Sequence, residues 1–178
     1  MPKQPANIAY LGLGSNLNQP LKQISSSLQH LNNLPNTQIT ALANFYQSKP
    51  WGVEDQPDFI NTAIKIETAL KPLALLKAIK IIEYRLMRRQ INQRWFSRVI
   101  DIDILLWNQI TFNRENLKIP HPWIADRCFV IQPLAELAPT LPAALQQLIT
   151  KHQKKHPCLS TLKPLKTPEF IKNQLKLL

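Results

Sequence analysis

Residues 98–107 read RVIDIDILLW. A run so rich in aliphatic and β-branched residues belongs inside a sheet, yet it carries two carboxylates two positions apart. Side chains alternate faces along a strand, so Asp101 and Asp103 share one face, ~7 Å apart at the usual rise per residue. Two half-buried carboxylates left alone would cost several kcal/mol. Any fold for this chain must therefore bury the strand while opening that face onto positive charge. A cluster of arginines or a divalent metal ion would each serve.

On either side of this strand, helix and strand periodicities alternate. Asn7 to Leu13 reads as a strand, and Gln19 to Leu34 places Leu21, Ile24, Leu28 and Leu31 at helical spacing, with Pro20 in the tolerant first turn. Gln38 to Ser48 and Phe59 to Thr68 read as extended, and the polar, proline-marked SKPWGVEDQPD between them as a loop. A helix is expected from Pro72 to Arg89, with Leu75, Leu76, Ile79, Ile82 and Leu86 as its apolar stripe. After the acidic strand come a short hairpin-like segment to Lys118, the loop IPHPW, and a helix from Asp126 to Leu137. The order β-α-β-β-α-β followed by more helix predicts an α/β (α+β) fold: a ferredoxin-like two-layer sandwich, mainly antiparallel, with helices packed on the sheet.

At 178 residues and 44% hydrophobic, the chain fits one core. No apolar run approaches the ~20 residues of a membrane span, and the opening MPKQPANIAYLGLG is too weakly apolar for a signal peptide. Cys128 and Cys158 form no framework or metal spacing, so they read as ordinary small apolar side chains in a reducing cytoplasm. Of the net charge of +11, more than half sits in residues 151–178, which hold seven lysines and one acid, Glu169. Residues 1–150 thus read as the body of the fold and 151–178 as a basic extension, solvated or packed on the surface, with a short amphipathic helix through Phe170, Ile171, Leu175 and Leu178. A charge excess confined to a tail does not call for a nucleic-acid partner.

The chemistry concentrates in two places. Gly12 and Gly14, in LGLGSN, permit a tight turn or a close approach to a neighbour; neither phosphate-loop pattern is present. Arg85, Arg88, Arg89, Arg94 and Arg98 crowd the approach to Asp101, with Trp95 and Phe96 among them. Taken alone, such a cluster can be a solvated helix face and loop. Placed directly before Asp-x-Asp it suits a metal-bound polyphosphate, with guanidinium forks on the oxygens and an aromatic face against a planar ring.

Taken together, AYLGLGSNL, FYQSKPWG, DQPDFINTAIKIET, RW…SRVIDIDIL, IPHPWIADRCFV and QPLAELAP resemble the 6-hydroxymethyl-7,8-dihydropterin pyrophosphokinase family over residues 8 to 140. The resemblance implies transfer of diphosphate from ATP to 6-hydroxymethyl-7,8-dihydropterin, releasing AMP, in folate biosynthesis. It implies that Asp101 and Asp103 hold two Mg²⁺ ions. Phe59, Asn61, Trp95 and Phe129 would form the pterin pocket, with backbone near Ser48 and Trp51 completing the polar edge. Arg88, Arg98, His121 and Arg127 would face ATP phosphates or help close the site, Leu76 and Ile104 would border the adenine, and Lys80 and Glu83 would lie in the nucleotide region; Trp95 adjoins that region as well. Arg88 and Arg98 join the two acids as catalytic residues. The implied partners are these two small molecules, without membrane or nucleic acid, acting on a monomer.

The chain departs from the family pattern at Met87, Phe96, Ser97, Asn116 and Pro122, which puts the closure of the loop from Arg88 to Ser97 in question. None of these positions is a metal ligand or a pterin stacker. A polymerase-β-like nucleotidyltransferase also pairs Gly-Ser with Asp-x-Asp, but on adjoining elements, whereas Ser15 and Asp101 are far apart in this chain. A non-catalytic nucleic-acid module would not set two acids among its arginines, where they repel phosphate.

Overall fold

A computed structural model describes residues 7–53, 55–89, 96–137, 141, 143–155, 158, 161–167, 171 and 173. Strand β1 (Asn7–Ser15) leads through a left-handed turn at Asn18 and Gln19 into α1 (Pro20–Asn32). The chain returns as β2 (Thr37–Leu42), β3 (Phe45–Ser48) and β4 (Phe59–Thr68), then enters α2 (Pro72–Ile81) and β5 (Asp101–Trp107). A small hairpin of β6 (Phe112–Arg114) and β7 (Leu117–Ile119) precedes α3 (Cys128–Glu136), α4 (Ala143–Lys155) and β8 (Leu162–Leu165).

The main sheet runs β5-β1-β4-β3-β8, with β2 also paired to β4, and every pairing is antiparallel. β4 lies between β1 and β2, and β1 between β4 and β5. These are the two interlocked split β-α-β units expected of a ferredoxin-like core. One face buries Leu11, Leu13, Ile64, Ile66, Ile102 and Ile104 against Ile24, Leu28 and Leu31 of α1 and Leu75 and Ile79 of α2. The opposite face is covered as well: Tyr10, Ala63, Leu105 and Leu106 pack with Ile131 and Leu134 of α3 and Ile149 of α4. Helices therefore flank the sheet on both sides, a layer more than the two expected.

Three local differences from the expected elements have clear causes. The predicted strand from Gln38 to Ser48 breaks at Ala43–Asn44, whose carbonyls both accept from Thr62 Oγ1. Rather than running to Arg89, the α2 helix widens into a π-turn over Ile82–Leu86, closed by Met87 N–H on Ile82 O at 2.8 Å. Such a turn swings consecutive side chains inward, and both Ile82 and Glu83 are buried. β5 gains an extra residue opposite Tyr10–Leu11, so Leu105 and Leu106 both serve the second core while Trp107 returns to the first.

Residues past 150 join the body. α4 runs through the expected 150/151 boundary, β8 pairs with β3, and Ile171 is fully buried in the first core. Of the tail helix, Phe170, Leu175 and Leu178 lie outside the described residues. The cysteines correct the reading of small apolar side chains: Cys128 and Cys158 form a disulfide, with Cα atoms 5.1 Å apart across 30 residues of chain. That pairing follows from the return of the chain to β8, which spacing alone does not reveal.

Candidate active site

The strands β4, β1 and β5 make the floor of an open pocket. In register across the sheet, Asn61 faces Gly14 and Gly14 faces Asp101; one step along, Ala63, Gly12 and Asp103 align. The glycines keep the middle of this floor bare. At Gly14 the approach is closest, since a Cβ there would stand 2.9 Å from Asn61 Oδ1 and would have to displace that amide. Of the two readings of LGLGSN, a tight turn or a close approach, the close approach applies.

One end of the pocket is apolar and flat-sided. Phe59 comes from β4 and Phe129 from α3, with Val130 and Leu105 beside them. Asn61 is buried there, and its Nδ2 donates to Ser48 Oγ at 2.9 Å, which fixes the amide plane. Over the mouth, the Arg127 guanidinium carbon lies 4.5 Å from the Trp51 ring centroid and 5.7 Å from those of Trp123 and Phe129. The other end is charged. Arg89 Nη1 lies 2.6 Å from Asp101 Oδ1, and Arg98 Nη1 2.7 Å from Asp101 Oδ2. Burial would raise the Asp101 carboxyl, but the Arg98 and Arg89 guanidiniums outweigh it and hold the group below the usual carboxylate range. Asp103 differs: burial, then the adjacent Asp101 charge, push it up to about 7. Among the described residues its carboxylate makes no hydrogen bond or ion pair.

The structure thus brings Ser48, Trp51, Phe59, Asn61, Arg98, Asp101, Asp103, Arg127 and Phe129 around one pocket. Other expected site residues stand apart from its lining. Ile104 projects into the core on the opposite face, and Leu76 packs half-buried against that core. Glu83 is fully buried behind β5, where it accepts from Lys80 Nζ at 2.6 Å, Arg89 Nη1 at 2.7 Å and Ile102 N–H at 2.8 Å. Arg88 is exposed with left-handed backbone, φ 53°. His121, after Pro120, donates its backbone N–H to Leu105 O; burial, then the Arg127 charge, lower its imidazole to about 4. Trp95 and Arg94 lie outside the described residues.

Two residues escaped the reading of the sequence. Asn16, nearly buried, donates through Nδ2 to Gln56 Oε1, Pro57 O and Ser97 Oγ and accepts Arg98 N–H at 2.8 Å, so it fastens the loop before β4 to the loop before β5. The Ser97 hydroxyl, a departure from the family pattern, also donates to Gln56 Oε1 at 3.0 Å, which ties the two loops together. Arg89 was one arginine among five and showed no separate signal; only the π-turn sets it between Glu83 and Asp101.

With a slot for a planar group at one end and, at the other, two carboxylates of which one is gripped by two guanidiniums, the layout is that of a small α/β group-transfer enzyme, one that holds a flat acceptor against an anionic donor. The sequence profile of the 7,8-dihydro-6-hydroxymethylpterin-pyrophosphokinase (HPPK) family matches residues 10–139. A 2-amino-4-hydroxy-6-hydroxymethyldihydropteridine pyrophosphokinase of Haemophilus influenzae is 43% identical over 143 residues, covering 80% of this chain and 89% of that protein. One of Methylorubrum extorquens is 41% identical over 75% of this chain and 84% of its own length. Among solved structures, an HPPK-DHPS in complex with substrates superposes with a TM-score of 0.69 at 15% identity over 90% of this chain, and a Plasmodium falciparum HPPK-DHPS with 0.63 at 18% over 89%. The chain spans about half the length of those two structures, 47% in each case, so they bear on the fold alone. The chain belongs to the HPPK family. It is a diphosphotransferase, a pyrophosphokinase of folate biosynthesis.

Proposed function

We propose that the pocket binds 6-hydroxymethyl-7,8-dihydropterin at its apolar end and ATP across its charged end, and that the pterin's primary hydroxyl attacks the β-phosphorus in line, expelling AMP. The observation that carries this reading is the register of the floor: an oriented amide, a bare glycine and a carboxylate side by side, at Asn61, Gly14 and Asp101. The pterin stacks between Phe59 and Phe129, and Trp95 belongs to the same proposal. Its polar edge pairs with the Asn61 amide and with backbone near Ser48 and Trp51. Arg98, Arg127 and Arg88 take up the charge of the polyphosphate, with Trp95, Leu76 and Lys80 on the nucleotide side and the buried Glu83 and Ile104 supporting it from behind the strand. His121, neutral at pH 7, serves as a hydrogen-bonding group beside the phosphates.

The donor set suits a hard divalent cation. Asp101 and Asp103 present carboxylate oxygens on one strand face, and burial together with the Asp101 charge pushes the Asp103 carboxyl up to about 7, a penalty that a cation between the two would relieve. Two Mg²⁺ ions held there would neutralise phosphate oxygens and lower the pKa of the attacking hydroxyl. The rest of the work falls to the chain. Transfer of this kind depends on positioning and charge neutralisation, so the guanidiniums and the aromatic slot that align hydroxyl and phosphorus carry it without a strong side-chain base. The loops latched by Asn16 keep water, a competing acceptor, from the transferring group. Action as a monomer is part of the proposal. A cytoplasmic setting now rests on the use of ATP, because the disulfide removes the argument from reduced cysteines.

The test is a product assay with pure protein, ATP, Mg²⁺ and 6-hydroxymethyl-7,8-dihydropterin. AMP formed in step with pterin diphosphate is the expected result. ADP, signalling γ-phosphoryl transfer, would overturn the reading of the site.

A further inference from the structure

Both oxygens of Asp101 are engaged, but by two different kinds of partner. Arg98 comes from the neighbouring loop and, among the described residues, pairs with no carboxylate but Asp101, its Nε donating to Phe96 O. Arg89 is shared: the same Nη1 lies 2.6 Å from Asp101 Oδ1 and 2.7 Å from Glu83 Oε1. Glu83 is shut off from solvent, and its other oxygen is taken by Lys80. Arg89 is itself mostly buried, at 14% exposure, with its guanidinium carbon 5.3 Å from the Tyr84 ring centroid. Leaving Glu83 would take one of two cationic partners from a fully buried carboxylate, whereas its hold on Asp101 is made at the pocket floor, where that carboxylate is 27% exposed.

A divalent cation on Asp101 would meet this guanidinium across a single carboxylate oxygen, and like charges at such range repel. We propose that Arg89 is the resident cation of the acidic pair: it occupies Asp101 in the nucleotide-free enzyme, keeps a bare divalent ion from binding tightly, and draws back onto Glu83 when the ion arrives with the polyphosphate of the nucleotide. The inference rests on the reading of Asp101 and Asp103 as the metal-binding pair. Arg89 is on this account a positioning residue. Its effect is to couple metal entry to nucleotide entry.

The experiment measures Mn²⁺ binding to the full chain by electron paramagnetic resonance, with and without a non-hydrolysable ATP analogue, in wild type, Arg89→Gln and Arg89→Lys. Without nucleotide, Arg89→Gln is expected to bind Mn²⁺ at least about tenfold more tightly than wild type, because a competing charge is gone. Arg89→Lys, which keeps the charge, stays close to wild type, and the gap between wild type and Arg89→Gln narrows once the analogue is present. If Glu83, left with Lys80 as its one cationic partner, unfolds the single variant, Arg89→Gln combined with Glu83→Gln removes the pair together and is held to the same comparison. Equal or weaker Mn²⁺ binding on loss of Arg89, with normal binding in the presence of the analogue, overturns the inference and leaves the site reading standing. Absence of Mn²⁺ binding in every protein, analogue included, sinks both.

Discussion

Gly14 and Asn61 are cross-strand neighbours, and the space a Cβ would take at Gly14 is filled by the Asn61 side-chain oxygen. The relationship ties a backbone requirement of β1 to the orientation of an amide on β4. Gly14→Ala should push that amide off its hydrogen bond with Ser48 while sparing most of the fold, at a cost of about 1–3 kcal/mol. Steady-state kinetics should show KM for the pterin raised well beyond that for ATP. Unchanged pterin KM would mean that Asn61 does not read the substrate.

Asp103 is the carboxylate with least support from the protein. Asp103→Ala should lower turnover by orders of magnitude, with a native circular-dichroism spectrum; near-native activity with Mg²⁺ would contradict its assignment as a ligand.

The raised pKa of Asp103 also predicts a pH signature without metal. A carboxyl whose folded pKa is about 7, against ~3.9 when unfolded, favours the fold below the lower value, and that contribution is lost as pH rises through the upper one. Asp103→Asn should therefore gain in Tm relative to wild type at pH 8 compared with pH 4. An equal difference at both pH values would refute the shift.

His121 works in the opposite sense. With its folded pKa lowered to about 4 from an ordinary ~6.5, it contributes stability above the higher value that is lost as pH falls toward the lower. NMR titration should find this imidazole neutral at pH 5.5. His121→Gln should flatten the part of the stability profile between these two values, and a titration midpoint near 6.5 would show the ring to be in contact with water.

The disulfide fastens the return of the chain to the start of α3, and Cys128 stands between two pocket residues, Arg127 and Phe129. Closing a loop of this size typically contributes 2–4 kcal/mol, so Cys158→Ser, or reduction of the wild type, should cost about that much in denaturant unfolding. Insensitivity of both stability and pterin KM to reductant would show that β8 and the buried Ile171 hold this segment unaided.

Much of this protein is written in local pattern. The alternation of Phe59 to Thr68, the stripe of Leu21, Ile24, Leu28 and Leu31, and the prolines at helix starts specify the ferredoxin-like core, because period and breaker residues act over a few positions of chain. The acidic pair and its need for positive charge follow likewise from two-residue alternation on a buried strand. What the sequence by itself could not determine depends on contacts between distant segments. That Arg89 joins Arg98 on Asp101 depends on the chain just past the π-turn, where the Arg89 N–H and guanidinium both bond Glu83, a placement made by packing around Glu83 rather than by propensity. The disulfide, the second helical layer and the incorporation of β8 all require the chain to return across the sheet from more than a hundred residues after β1. No local signal encodes that return; the exposed apolar face of the sheet does, by being costly to leave open to water.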